Sequence, residues 1–380
     1  VKPRLINPRS ARYNLSLARR LKPLEHALWR HWKHGHLCRP TRVSGKGLTS
    51  QGRAELIEEK MGCVGDCVVV EVDGKAFEAH VSVAQLKLEQ GVYRAAYPGD
   101  RALMDMLGAQ LSLRGRTAGG VKYFREGCRA SGDYNTGLGN TLLMGTFVIC
   151  AMDSLDLARP WSVLADGDNC LLFMRVDDLE LVVDKFPLAL SSLCGHEMTV
   201  EKPSRSLEEV VFGQSHPVRT GRGLVMARDP YKVLSGAFCG YRHFHDRKFT
   251  PRLVRGIAMA EQAVSRGLPV VGPYFDEVVR LTTKYKSIRS LEFFLEGHLI
   301  GALPDPGYVP VTPEARESYS RAFGLGVEEQ LLMEKRLIAG LRRDLVHVLD
   351  SGCWLENVVE VLNGKTLDSS TNSHEWLFTE

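Results

Sequence analysis

Trp161-Ser162-Val163-Leu164-Ala165-Asp166-Gly167-Asp168-Asn169-Cys170-Leu171-Leu172-Phe173-Met174 is two apolar runs joined by a short polar turn. Gly167 sits in that turn, where glycine reaches a positive φ at no steric cost. The pattern predicts a β-hairpin with buried strands and with Asp166–Asn169 projecting at its end. Upstream, Cys67-Val68-Val69-Val70-Glu71-Val72 is a β-branched run that predicts a second buried strand, ending at Asp73. If these strands pair, Asp73 and Asp168 converge at one end of a sheet. Carboxylates held on rigid elements suit a divalent cation, since no loop has to be ordered when it binds. Two carboxylates sharing two metals fit phosphoryl or nucleotidyl transfer. Asp-Gly is equally ordinary turn chemistry, so the turn alone leaves a plain hairpin open.

Between the two predicted strands lies Ser131-Gly132-Asp133-Tyr134-Asn135-Thr136-Gly137-Leu138-Gly139-Asn140. It reads as a loop leading into a buried helix over Thr141–Ala151. The glycines allow close backbone approach, and the Ser, Thr and Asn side chains offer hydrogen bonds to sugar and base edges. The following helix N-terminus favours anions, although a polar loop with a helix cap is the plainer alternative. Elsewhere, Lys2–Asn14 reads as extended, broken by Pro3 and Pro8. Leu17, Leu21, Leu24, Leu28 and Trp32 predict a helix over 15–34. Ser44–Gly52 reads as a basic loop, Val81–Ala96 and Leu179–Leu193 as helices, and Val210–Phe212 as a strand. The C-terminal part reads as mostly helical, with Leu253–Val264 and Val327–Leu349 the clearest cases.

The composition, 44% hydrophobic and 25% charged over 380 residues, is that of a globular protein with a sizeable core. Nothing resembles a membrane-spanning run or a signal peptide. The first residues, Val1-Lys2-Pro3-Arg4, give the impression of a segment cut from something longer. The nine cysteines are scattered, without paired zinc-like spacing, and read as reduced and mostly buried. The net charge is only +4, but residues 1–53 hold thirteen Lys and Arg against the single acid Glu25. Such an excess points to an anionic partner, most simply a phosphate backbone; a solubility-tuned surface or a localisation signal is the alternative.

Taken in order, these segments resemble the polymerase motifs of positive-strand RNA viruses, in particular the tombusvirus-like group. Lys2-Pro3-Arg4-Leu5-Ile6-Asn7-Pro8-Arg9 resembles motif F, and Asp73 through Ser82 resembles motif A. Ser131 through Thr141 resembles motif B, and Gly167-Asp168-Asn169 stands where motif C has Gly-Asp-Asp. The stretch around Glu201-Lys202-Pro203 resembles motif D, and Phe212-Gly213-Gln214 through Pro217-Val218 resembles motif E.

The resemblance implies an α/β (α+β) fold: a right hand with an antiparallel palm sheet, helical fingers and a helical thumb. It divides the chain into partial fingers with motif F at 1–60, palm with motif A at 61–83, and fingers helices at 84–125. Palm with motifs B to E follows at 126–218, and thumb at 219–380. It also implies an RNA-directed RNA polymerase. Asp73, Asp168 and Asn169 would form the catalytic and metal-holding set for Mg²⁺, or Mn²⁺. Lys2, Arg4 and Arg9 would neutralise the triphosphate. Ser131, Thr136 and Asn140 would lie near the incoming ribose, where a 2′-hydroxyl separates RNA from DNA precursors, and Glu78 and Gly132 would also belong to the triphosphate-binding set. Lys202 would be a candidate general acid toward pyrophosphate, with a plain surface lysine the alternative.

Two positions depart from the family pattern. Glu78 replaces the usual Asp, lengthening the arm by one methylene. Asn169 replaces the second Asp of motif C, which removes a negative charge and is expected to weaken metal affinity and to favour Mn²⁺ relative to Mg²⁺. Asp166 next door is an extra carboxylate that could compensate. The alternative is a non-catalytic, polymerase-like RNA-binding protein. Partners implied are template and product RNA, nucleoside triphosphates and a viral membrane-targeting replication protein, at membrane-bound replication complexes in host cytoplasm. Motif F begins at Lys2, so the N-terminal fingers are expected to lie outside this chain.

Overall fold

The computed structural model describes residues 6–117, 119–238, 248–287 and 308–345. By internal contacts the chain divides into two compact units, residues 1–48 with 56–213, and residues 49–55 with 214–380.

The first unit is built on a four-stranded antiparallel sheet in the order Trp161–Asp166, Asn169–Arg175, Cys67–Gly74, Met198–Val200. The predicted hairpin and the predicted Val-rich strand are thus direct neighbours. Val68, Val70 and Val72 share one core with Val163, Ala165, Cys170, Leu172 and Met174. Helices Thr136–Asp153 and Leu179–Cys194 cover that face with Leu143, Met144, Phe147, Val182, Phe186 and Leu190. Val69, Leu164, Leu171 and Phe173, on the opposite face, are buried too. Burial on both faces explains why these strands read as unbroken apolar runs instead of alternating ones. The helix Ser50–Val64 places Lys60 against that second face, its ammonium 5.9 Å from the Phe173 ring centroid.

A second core joins Leu17, Leu21 and Trp29 of the helix Ala11–His31 to Tyr93, Leu103, Leu107, Leu138 and Leu142. This helix starts four residues before the predicted one. Ser10 caps it by accepting from the Tyr13 amide, so Pro8 precedes the helix and does not delay it. The helix predicted from Thr141 begins at Thr136, which puts Gly137, Gly139 and Asn140 inside it. Val210–Phe212 forms no strand; a 3-10 turn at Leu207–Glu209 precedes it. Of the described cysteines only Cys170 is buried, fewer than expected.

The second unit contains the two-stranded ribbon Ser215–Thr220 with Gly223–Arg228. Around it are helices Pro230–Gly236, Thr250–Val264, Val271–Leu281, Pro313–Phe323 and Val327–Gly340. Their core includes Val218, Ala227, Leu253, Val254, Tyr274, Phe275, Tyr319 and Leu337. The helical expectations over 253–264 and from 327 onward match these elements; residues 346–349 of the latter lie outside the described residues. No helix among the described residues is long and apolar enough to cross a membrane.

Candidate active site

Asp73 and Asn169 are cross-strand partners at the open end of the sheet, and Asp73 faces Thr199 on its other side. Gly167 and Asp168 form the two-residue loop beyond the Asp166–Asn169 pair, with Gly167 at φ +71°. The Gly74 amide donates to the Asp168 carbonyl at 3.3 Å, so the loop folds back onto the residue after Asp73. Of the two carboxylates predicted to converge, Asp73 thus stands near the end of its strand and Asp168 in the loop of the neighbouring hairpin. Asp73 is exposed and Asp168 half-buried.

The turn is held from two sides. The Gly167 amide donates to the Thr141 hydroxyl at 2.8 Å, and that hydroxyl donates to the Gly137 carbonyl at 2.7 Å. Thr141 thus ties the turn to the helix of motif B. On the other side the segment around Ser44 runs beside Ala165, with the Gly45 amide donating to the Ala165 carbonyl at 2.9 Å. This brings the Lys46 ammonium to 2.5 Å from the Asp166 carboxylate, whose side chain is only 12% exposed. Asp166 is thereby neutralised by a cation, which counters its expected role as a spare metal-holding carboxylate.

Glu78 lies on the one-turn helix Phe77–His80 after Asp73. The Asn140 amide nitrogen is 3.5 Å from its carboxylate. Glu78, expected to bear on sugar selection, and Asn140, expected near the ribose, are thus brought together from separate segments. Asn140 also accepts from Arg129 at 2.9 Å, and Arg129 is ion-paired to Glu89 with both side chains almost fully buried. Gly139 is required here, since a Cβ at that position would lie 2.3 Å from the Glu89 carboxylate and 2.5 Å from the Arg129 guanidinium.

Residues 1–339 match the model of the family described as viral RNA-dependent RNA polymerase. The chain belongs to that family. It is similar to the RNA-directed RNA polymerases of Cucumber necrosis virus and Tomato bushy stunt virus (strain Cherry), 33% identical in each case over 340 residues. It is 30% identical over 341 residues to that of Carnation mottle virus. These matches cover 87–88% of the chain but only 40–43% of the length of the relatives.

Within this family frame, the remaining predicted residues divide into four groups. Ser131 and Gly132 lie beside the segment resembling motif F: the Asn7 amide donates to the Ser131 carbonyl at 2.8 Å, and the Asn14 side chain donates to the Gly132 carbonyl at 3.2 Å. Gly132 has φ +119°, and a Cβ there would meet Pro8 at 3.0 Å. Arg9 and Thr136 are engaged inside the fold. Arg9 is ion-paired to Asp133 and donates to the Ala109 carbonyl at 2.8 Å. The Thr136 hydroxyl turns toward the Asp133 carbonyl at 2.9 Å. Lys202 is exposed beyond the edge strand, which runs away from Asp73 as numbering rises. Lys202 is therefore offset from Asp73 by about three residues, roughly 10 Å along the sheet. Lys2 and Arg4 lie outside the described residues.

Lys46, Thr141, Arg129 and Glu89 were given no site role from sequence. Thr141 closes the quoted motif B stretch and Arg129 lies two residues before it, so a wider reading of that stretch would have reached both. Glu89 carries no local signal, because its role comes only from long-range packing.

Asp73 and Asp168 carboxylates with the Asn169 amide oxygen are hard donors of the kind Mg²⁺ and Mn²⁺ take, so the residues present fit such an ion. Among the described residues no three His, Cys, Asp or Glu side chains cluster in a way that could hold a metal. An ion held by these three residues would meet two carboxylates and one neutral amide.

Proposed function

We propose that this chain is the catalytic part of an enzyme that copies RNA into RNA from nucleoside triphosphates. The observation that carries this reading is the placement of Asp73 and Asp168 at one sheet end beside the Glu78–Asn140 pair. Family membership agrees with it.

In the reaction the 3′-oxygen of the growing strand bonds to the α-phosphorus of the triphosphate. The bond to the bridging oxygen breaks, and pyrophosphate leaves with that electron pair. Asp73, Asp168 and Asn169 would hold divalent cations, which when bound acidify the 3′-hydroxyl and neutralise the phosphates. Strand pairing holds Asp73 and hydrogen bonds to the hairpin loop hold Asp168 before substrate arrives, so no ordering cost falls on the reaction itself. Asn140 and Glu78 offer a donor and an acceptor for a ribose 2′-hydroxyl. Non-catalytic RNA binding is not favoured, since both carboxylates are present and positioned.

The first unit would supply the palm and part of the fingers of a right hand, and the second unit the thumb. RNA contact is supported by the hairpin Ser112–Arg116 with Lys122–Glu126. Its register pairs Arg114 with Phe124 and Arg116 with Lys122, and strand alternation puts all four on one face. All four are exposed, Phe124 by 57%, and Arg114 stacks 5.1 Å from the Phe124 ring centroid. Cations beside an open aromatic ring suit a single-stranded phosphate backbone with stacking bases. On family grounds we place the enzyme at membrane-bound replication complexes in host cytoplasm, with a membrane-targeting viral partner. The test of the catalytic reading is nucleotide incorporation on a primed RNA template by wild type and Asp168→Ala.

A further inference from the structure

Asn140 can present either its oxygen or its nitrogen to the site, and nothing in the side chain itself decides which. Arg129 decides it. Its Nε lies 2.9 Å from Oδ1 of Asn140, and a guanidinium only donates, so the amide oxygen must face the arginine. The amide nitrogen is left toward Glu78, 3.5 Å from its carboxylate. That separation is longer than a closed charge-assisted hydrogen bond, so both groups retain capacity for a third.

Arg129 is itself immobilised. Both oxygens of the Glu89 carboxylate receive it, one from Nη1 at 3.1 Å and the other from Nη2. Glu89 is in turn held by the Tyr93 hydroxyl at 2.6 Å and by the Asn135 amide at 3.0 Å. The two ion-paired side chains are 3% and 1% exposed, so neither meets solvent or substrate. A buried pair of this kind is weak evidence for stability, because desolvation offsets most of its attraction. What it does supply is a fixed direction for the Asn140 amide.

We infer that the buried Arg129–Glu89 pair is a positioning element for sugar discrimination, which locks Asn140 as a donor opposite the Glu78 acceptor. A ribose 2′-hydroxyl accepts from Asn140 and donates to Glu78. A 2′-hydrogen does neither and leaves two polar groups unsatisfied. The inference rests on the polymerase reading above.

The test compares single-nucleotide incorporation of UTP and 2′-deoxy-UTP on a primed RNA template by wild type, Arg129→Lys, Asn140→Ala and the double variant. Lysine keeps the charge against Glu89 but loses the planar fork that reaches Asn140. Arg129→Lys is expected to lower the ratio of kcat/KM for UTP over the deoxy analogue by about tenfold, mainly through KM for UTP. In the Asn140→Ala background the same change is expected to leave the ratio alone. Should Arg129→Lys not fold, Glu89→Gln reads the same ratio. A variant that loses both activities equally, with the ratio unchanged, makes the pair merely structural and overturns the inference. Wild-type protein that incorporates neither nucleotide overturns the polymerase reading and the inference with it.

Discussion

The ammonium of Lys46 lies 2.5 Å from the carboxylate of Asp166, one residue before the Gly167-Asp168 loop. An extra acid next to the Gly167-Asp168 turn is thus cancelled by a cation from a remote segment. Lys46 also borders Gly137 and Gly167, 3.8 and 4.0 Å from where their Cβ atoms would be.

Lys46→Met should therefore unmask Asp166. Stability is expected to fall by about 1–2 kcal/mol, since the pair is neither fully exposed nor fully buried. The added negative charge should lower the Mg²⁺ concentration needed for half-maximal incorporation. Lys46→Met with Asp166→Asn should reverse both effects. Chemical denaturation and a Mg²⁺ titration check this, and an unchanged Mg²⁺ requirement in the single variant would count against it.

Lys60 makes a pH-dependent contribution that can be read separately. It is fully buried and donates to the hydroxyls of Thr41 at 2.7 Å and Ser162 at 3.1 Å. Burial pushes its pKa down from 10.5 to about 7. Between those values the unfolded chain binds the proton and the folded chain does not, so stability rises with pH across the window. Below about pH 7 both states are protonated and this dependence is gone. The slope from this one group approaches about 1.4 kcal/mol per pH unit. Urea unfolding of wild type and Lys60→Met from pH 6 to pH 10 should show the wild type gaining on the variant above about pH 7. Parallel curves would refute the assignment.

The hairpin face of Arg114, Arg116 and Lys122 should carry part of the salt dependence of RNA binding. Replacing all three by Ala is expected to reduce the slope of log K against log salt for single-stranded RNA by about 2. Phe124→Ala should weaken binding by about 1–3 kcal/mol while leaving the slope unchanged. Binding of an acidic polypeptide but not RNA to this face would point to a protein partner instead.

The end of the sheet that carries Asp73 and Asn169 was legible because local chemistry and burial agree there. A glycine turn between apolar runs, and a Val-rich run ending in Asp73, leave few other arrangements for strands buried on both faces. The helix start at Thr136 was not legible, because Gly137 and Gly139 argue locally for a loop. Packing overrides that propensity: Gly139 admits the Glu89–Arg129 pair, and a Cβ at Gly145 would stand 2.5 Å from the Trp32 ring. The ribbon Ser215–Thr220 was obscured by Pro217, which a two-stranded ribbon tolerates opposite Met226. The basic run over residues 1–53 also changes meaning in space. Arg9, Arg20, Arg39 and Lys46 are ion-paired to Asp133, Asp100, Glu59 and Asp166, acids that follow later in the chain. Part of the excess that pointed to an anionic partner is thus balanced within the fold.

The most direct test of the central claim is nucleotide incorporation on a short primed RNA template, in Mg²⁺ and separately in Mn²⁺, by wild type and Asp168→Ala. The account predicts template-directed extension by the wild type, relatively stronger in Mn²⁺ because Asn169 leaves the metal set one charge short, and a loss of at least about a thousandfold in the variant. Extension by Asp168→Ala at the wild-type rate would contradict it.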